Sequence, residues 1–185
     1  MKDWKEKLAT IKHYDRQATI YDVQYREEQK SKIEDILKNI ELSANEQILD
    51  LGCGTGFLFQ HISQKVGFLV GVDISLNTLQ EAKKRIKNRS NIALIRADAD
   101  NTPFFDSVFD KIFAITVLQN MPNPVKTIKE MKRTGKKEAL FAVTGLKKKY
   151  TQKSFVNTLE KANLKVFSLN SSQQLKGYVA LCRNM

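Results

Sequence analysis

The run Asp50-Leu51-Gly52-Cys53-Gly54-Thr55-Gly56 decides how this chain reads. Before it, Gln47-Ile48-Leu49-Asp50-Leu51 is short and apolar, the pattern of a buried strand. After it, Phe57 to Lys65 reads as a helix. Glycines at every second position permit dihedrals closed to other residues and let a ligand approach the backbone. Such a loop sits at the carboxyl edge of a sheet, where open α/β folds bind ligands. Two rivals fail on spacing. A dinucleotide fingerprint needs a third glycine three positions after the second, and Phe57 stands there, with Gly56 one residue early. A phosphate-binding loop would continue into Gly-Lys-Ser/Thr, and no such run follows.

Outward from the loop, strands and helices alternate. Phe68 to Asp73 reads as a strand and Ser75 to Asn88 as a helix, with Ser75 its cap. Ile92 to Asp98 is a strand, and Lys111 to Ile115 is the body of another within 108–117. Asn123-Pro124 opens a helix that runs to about Thr134, closed by Gly135. Glu138 to Thr144 is a strand and Thr151 to Ala162 a helix. Leu164 to Leu169 and Gly177 to Cys182 complete seven strands, the short link between them favouring an antiparallel pair. Ahead of the loop, residues 2–13 and 23–40 read as helices; Ile33, Ile36, Leu37 and Ile40 face a core. The fold class is α/β: a mostly parallel sheet with helices on both faces and the last strand antiparallel.

A chain of 185 residues fits one domain with a substantial core. No stretch approaches the length of an apolar membrane span, and Met1 to Lys7 does not read as a signal peptide. Two cysteines, Cys53 and Cys182, make no disulfide framework, so a reducing cytoplasmic setting is expected. The net charge of +11 is uneven: residues 111–185 carry 15 basic and 3 acidic side chains. Lys136-Lys137 and Lys147-Lys148-Lys149 are its densest points. Such a field attracts polyanions, so RNA or a ribonucleoprotein is an expected partner; solubility alone is the plainer reading.

Asp73 ends the second strand, where its carboxylate can accept bonds from two ribose hydroxyls. Asp98 ends the third, where it can accept from an exocyclic amine. Asp50, Asp73 and Asp98 could each be a simple loop cap, but three at this spacing point to one ligand edge.

These residues resemble the class I methyltransferases, which use S-adenosyl-L-methionine as cofactor. The resemblance spans roughly residues 14–185 and implies a Rossmann-like seven-stranded sheet. It divides the single domain 1–185 into an N-terminal helical lid, 1–42, and an α/β core, 43–185. By that likeness Asp50 orients the loop or ligand, and Gly52, Cys53, Gly54 and Gly56 line the methionine moiety. Asp73 takes the ribose, Ile74 packs on the adenine, and Asp98 beside Ala99 meets the adenine amine. Ile115 and Thr116 lie under the cofactor, and Tyr14 and Tyr21 cover it.

The acceptor is less legible, because one fold serves many substrates. Cytosine C5 methylation would need a thiolate, and neither Cys53 nor Cys182 is well placed. Amino-group methyltransferases carry Asn or Asp, Pro-Pro and an aromatic; here Asn120 is followed by Met121-Pro122-Asn123, which departs from that motif. Gln119 and Asn120 remain the candidates to touch the acceptor, with turn stabilisation as the plainer role. His13 and His61 are weak candidates, and the scattered Cys and His make no zinc site. The first expectation is methyl transfer to RNA or an RNA-associated protein. The alternatives are a small-molecule methyltransferase, favoured by a closed lid, or an inactive binding member. The apolar third strand, an edge in this family's order, invites a small zinc-binding activator protein.

Overall fold

The computed structural model describes residues 2–87 and 89–184. Met1, Asn88 and Met185 lie outside the described residues, and with them the expected helix end at Asn88 and the two limits of the expected 1–185 domain.

Two helices lead, α1 (Lys2–Gln17) and α2 (Tyr21–Lys38). The core follows as β1 (Gln47–Leu51), α3 (Phe59–Ile62), β2 (Phe68–Asp73), α4 (Leu76–Arg85), β3 (Ile92–Arg96) and β4 (Phe109–Ala114). A 3-10 turn at Leu118–Asn120 precedes α5 (Pro124–Thr134), β5 (Gly135–Leu146), α6 (Gln152–Glu160), β6 (Leu164–Asn170) and β7 (Gly177–Asn184). The seven strands form one sheet in the order β3-β2-β1-β4-β5-β7-β6. β7 pairs antiparallel with both β5 and β6, and the remaining pairs are parallel. Strand order reverses between β1 and β4, whose Leu49 and Ile112 pair. That reversal creates the crevice where a ligand fits.

Period-two alternation splits the core into two layers. Leu49 and Leu51 of β1 and Val70 and Val72 of β2 pack with Ile128 and Met131 of α5 and Phe155 and Leu159 of α6. Ile48 and Leu69 face the other way, onto Ile33 and Ile36 of α2, Phe59 and Ile62 of α3 and Leu79 of α4. Each such side chain, fully buried, stabilises the fold by roughly 1.5–3 kcal/mol. At Gly71 a Cβ would come within 2.5 Å of the Phe59 ring, so the glycine lets α3 lie on β2.

Local rules place the caps. Ser75 Oγ accepts from the Thr78 amide at 3.2 Å, and Asn123 Oδ1 from the Lys126 amide at 3.2 Å ahead of Pro124. Several boundaries move. The expected helix 57–65 shrinks to α3 because its flanks turn through shorter bonds, Phe59 to Gly56 and Lys65 to Ile62. Gly135 does not close α5 with a left-handed turn; its backbone is extended (φ −78°, ψ 142°) and β5 begins at once. β3 stops at Arg96, so Asp98 lies two residues past the strand rather than at its end. β4 stops at Ala114, so Ile115 and Thr116 also lie beyond it. Among the described residues no helix is long and apolar enough to cross a membrane.

Candidate active site

The loops after β1, β2, β3 and β4 meet α1 and α2 around a cavity of about 1070 Å³, its mouth included. Of the residues singled out in the sequence, Tyr14, Tyr21, Asp50, Gly52, Cys53, Gly54, Asp73, Ile74, Asp98, Ala99, Ile115, Thr116 and Asn120 line it. Gly56 and Gln119 stand outside the lining. A Cβ at Gly56 would sit 2.6 Å from the Phe59 ring, so its work is to seat the loop on α3. Gln119 Oε1 is buried without a partner among the described residues. His13 and His61 also lie outside it.

The glycine loop is held by β2. The amides of Gly52 and Cys53 both donate to the Val72 carbonyl, at 2.7 and 2.9 Å. Gly52 and Gly54 take φ of +72° and +53°. At Gly52 a Cβ would strike Val117 at 2.5 Å, whereas at Gly54 nothing lies within 4 Å. One glycine therefore packs, and the other leaves open space.

Asp73 ties the loop to the next turn. Its Oδ2 accepts from the Gly54 amide at 2.8 Å and its Oδ1 from the Ser75 amide at 2.9 Å. Burial raises its proton affinity, opposed by the bonds from Ser75 and Gly54. The Thr78 side chain and the Ile74 amide act on it in the same sense. Asp50 is almost wholly buried; burial, then the charge of Asp73, pushes its pKa up to about 8. Burial and the charges of Asp73 and Asp50 also raise the Cys53 thiol well above its ordinary range, and burial alone takes Cys182 to about 12. Neither offers a thiolate at neutral pH.

The roof uses residues that sequence reasoning passed over. Lys7 Nζ donates to Asp98 at 2.8 and 2.7 Å and to Asp100 at 2.5 Å. Burial opposes its charge, but the bonds from Asp100 and Asp98 prevail and hold the ammonium above its usual pKa. Asp15 accepts from Ser75 Oγ at 2.5 Å, and Asp22 accepts from Thr55 Oγ1 at 2.7 Å and from Arg85. Asn120 Nδ2 reaches the Tyr14 hydroxyl at 2.8 Å, and Gln29 Nε2 reaches the Tyr21 hydroxyl at 3.0 Å. Lys32, 1% exposed, meets Glu28 at 2.7 Å and Thr116 Oγ1 at 3.0 Å. One signal was available: Lys7, Thr10, Ile11 and Tyr14 recur at helical spacing and all line the cavity. Among the described residues no group of three or more His, Cys, Asp and Glu is placed to hold a metal ion.

A carboxyl-edge crevice with a glycine loop, a following acidic residue and a helical roof defines the class. The methyltransferase-domain family matches residues 42–180, and the chain belongs to that family. A demethylmenaquinone methyltransferase of Staphylococcus saprophyticus is 34% identical over 58% of this chain and 47% of its own length. Protein MJ1252 of Methanocaldococcus jannaschii is 29% identical over 95% of this chain and 66% of its own. The chain thus spans about half to two thirds of these curated relatives. A solved complex of the Haloferax volcanii Trm112 methyltransferase activator with a methyltransferase shares the fold (TM-score 0.79, 15% identity, 92% of this chain and 96% of that one).

Proposed function

We propose that this chain transfers a methyl group from S-adenosyl-L-methionine to a small-molecule acceptor. One observation carries the reading: α1 and α2 roof the cavity and are bonded to its floor at Asp98, Ser75 and Thr55. The chain's residues fit the cofactor. Asp73, lining the cavity at the end of β2, is the carboxylate that would accept from the ribose hydroxyls. Asp98 Oδ1 already accepts from Lys7 and Asp100, while Oδ2 accepts only from Lys7 and keeps a lone pair for an adenine amine. Ile74 and Ala99 offer apolar surface to the base. The open side of Gly54 leaves room for the methionine portion, beside Gly52 and Cys53, with Asp50, Ile115, Thr116 and Tyr21 closing the remainder.

When bound, S-adenosyl-L-methionine supplies an electrophilic methyl group on a sulfonium cation. The chain's task is alignment and exclusion of water. Residues 1–42 act as the lid: Lys7, Asp15 and Asp22 latch it, and Tyr14 and Tyr21 form its inner face. Asn120, bonded to the Tyr14 hydroxyl, is the acceptor-side polar group, and Gln119 lies beside it in the same 3-10 turn.

The names of the curated relatives, demethylmenaquinone methyltransferase and sterol 4-C-methyltransferase, also favour a small acceptor. An RNA acceptor rests on the basic C-terminal part alone, and Lys132, Lys136 and Lys147 there already bond to Asn163, Asp110 and Ser172. Labelled methyl transfer into separated RNA, protein and metabolite fractions decides. Label in the metabolite fraction is expected; label confined to RNA or protein overturns the small acceptor.

A protein partner on the β3 edge is a second reading, supported by the Haloferax volcanii complex and by β3 ending the sheet with Ala93, Leu94 and Ile95 half-buried. Ala93→Lys is expected to abolish copurification of a small zinc-binding protein. A monomer that transfers label alone contradicts that partner.

A further inference from the structure

The whole chain carries a net charge of +11, yet the charge gathered around its cavity is negative. Lys7, the lysine that lines the space, is held by two carboxylates at once, Asp98 at 2.7 Å and Asp100 at 2.5 Å, which more than cancel it. Arg85 answers Asp22, and the buried Lys32 answers Glu28. Asp15 and Asp73 bond instead to uncharged groups: Asp15 to the Ser75 hydroxyl and the Asn77 amide, Asp73 to the Gly54 and Ser75 amides. All of these side chains are buried or half-buried, and all line the cavity or bond to its lining directly or through one another. Six carboxylates thus stand against three cations, a net charge of −3. Arg96 and Lys176, the nearby cations on Ile74 and Glu28, are exposed, where water and salt screen them.

Asp50 adds a reserve. It is 3% exposed and lines the cavity. Burial and then the Asp73 charge push its pKa up to about 8, with no hydrogen bond to oppose them. Such a carboxyl is uncharged at neutral pH and ionises when a cation enters beside it.

S-adenosyl-L-methionine carries a sulfonium, an ammonium and a carboxylate, so its single net positive charge offsets only part of this field. The remainder acts on the acceptor. An anionic acceptor would enter against the field. An aliphatic amine would be held protonated by it, with no lone pair to give. A weakly basic ring nitrogen enters uncharged and leaves as a cation.

We infer that the methyl acceptor of this cavity is an uncharged, weakly basic ring nitrogen, selected by the negative field of Asp15, Asp73, Asp98 and Asp100. The nitrogen lone pair forms the N–C bond, the S–C bond breaks with its electron pair staying on sulfur, and the positive charge passes from sulfur to nitrogen. The charge stays in the cavity throughout, so the carboxylates that favour the reactants' cation also favour the product's. The inference rests on the proposed function, since it names the acceptor for the same cavity.

The probes are 1-methylpyridinium and benzoate, rings of similar size and opposite charge, titrated into the full chain with S-adenosyl-L-homocysteine present. 1-Methylpyridinium is expected to bind at least about tenfold more tightly at low salt, and the ratio to shrink severalfold at high salt. Asp15→Asn and Asp100→Asn each remove one negative charge and are each expected to shrink the ratio severalfold, whereas a merely structural loss would weaken both probes together. Benzoate binding as tightly or more tightly, or neither probe binding beside bound S-adenosyl-L-homocysteine, overturns the inference. The labelled metabolite fraction gives a second reading. Once residual cofactor is removed, a cation exchanger in mildly acidic buffer is expected to retain the methylated product, and label that passes through overturns the ring nitrogen. Calorimetry with S-adenosyl-L-methionine on the same preparation separates the failures. Cofactor binding without a preference for the cation removes the ring nitrogen and leaves methyl transfer standing. No cofactor binding by folded protein removes both.

Discussion

The floor and the roof of the cavity are built from different materials. The floor is backbone: Gly52 and Gly54 in left-handed conformation, their amides fixed on Val72 and Asp73. The roof is side chain: Lys7, Asp15, Tyr14, Tyr21 and Gln29 reach down from two helices. A floor of this kind accepts few substitutions, because Gly52 and Gly54 hold a positive φ that side chains disfavour. A roof of long side chains can keep its helices and change its specificity.

The sharpest way to break the contrast is inside the floor itself. Gly52→Ala adds a Cβ 2.5 Å from Val117 at a φ that disfavours it, and is expected to lower stability by about 3 kcal/mol. Gly54→Ala has the same conformational penalty in open space and is expected to lower it by only about 1–2 kcal/mol while filling the ligand volume. Urea unfolding of the pair measures the difference; equal losses would mean the two glycines do the same work.

Lys7→Met tests the roof. It leaves Asp98 and Asp100 without their shared cation, and a broken buried pair costs about 3 kcal/mol. Hydrogen exchange is expected to show α1 losing protection while β1 and β4 keep theirs. Loss spread evenly through the sheet would make α1 part of the core rather than a separable cover.

The smallest effect is in pH. The Asp50 carboxyl rises from 3.8 to about 8, so the folded chain holds that proton more tightly than the unfolded one. Its contribution therefore favours folding at low pH and is withdrawn as pH climbs from about 4 to 8. Asp50→Asn, which cannot ionise, is expected to match wild type near pH 4 and to exceed it by at least about 1 kcal/mol near pH 8. An unchanged gap across that range, read from urea midpoints, would place an ordinary carboxyl at Asp50.

The same contrast governs what the sequence disclosed. Gly52, Gly54 and Asp73 were legible because a turn with positive φ and a carboxylate at a strand end obey local rules. Ser75 and Asn123-Pro124 were legible for the same reason, as caps. Gly56 kept its place in the motif, but its closeness to Phe59 is a tertiary fact that spacing does not carry. Lys7 and Lys32 were invisible because lysine on a helix ordinarily reads as solvent-facing, and only packing against Asp98, Asp100 and Glu28 buries them. Residues 14–22 are the end of α1, a turn and the start of α2, and Asp15 and Asp22 among them bond to Ser75 and Thr55.

The most direct measurement is calorimetric titration of the purified chain with S-adenosyl-L-methionine, repeated with Asp73→Ala. Micromolar binding by wild type, weakened at least about a hundredfold by the substitution, is the predicted result, since the change removes both proposed ribose bonds and the Gly54 and Ser75 anchors. A folded wild-type chain that does not bind, or a variant that binds as tightly, would contradict the assignment of this cavity to the cofactor.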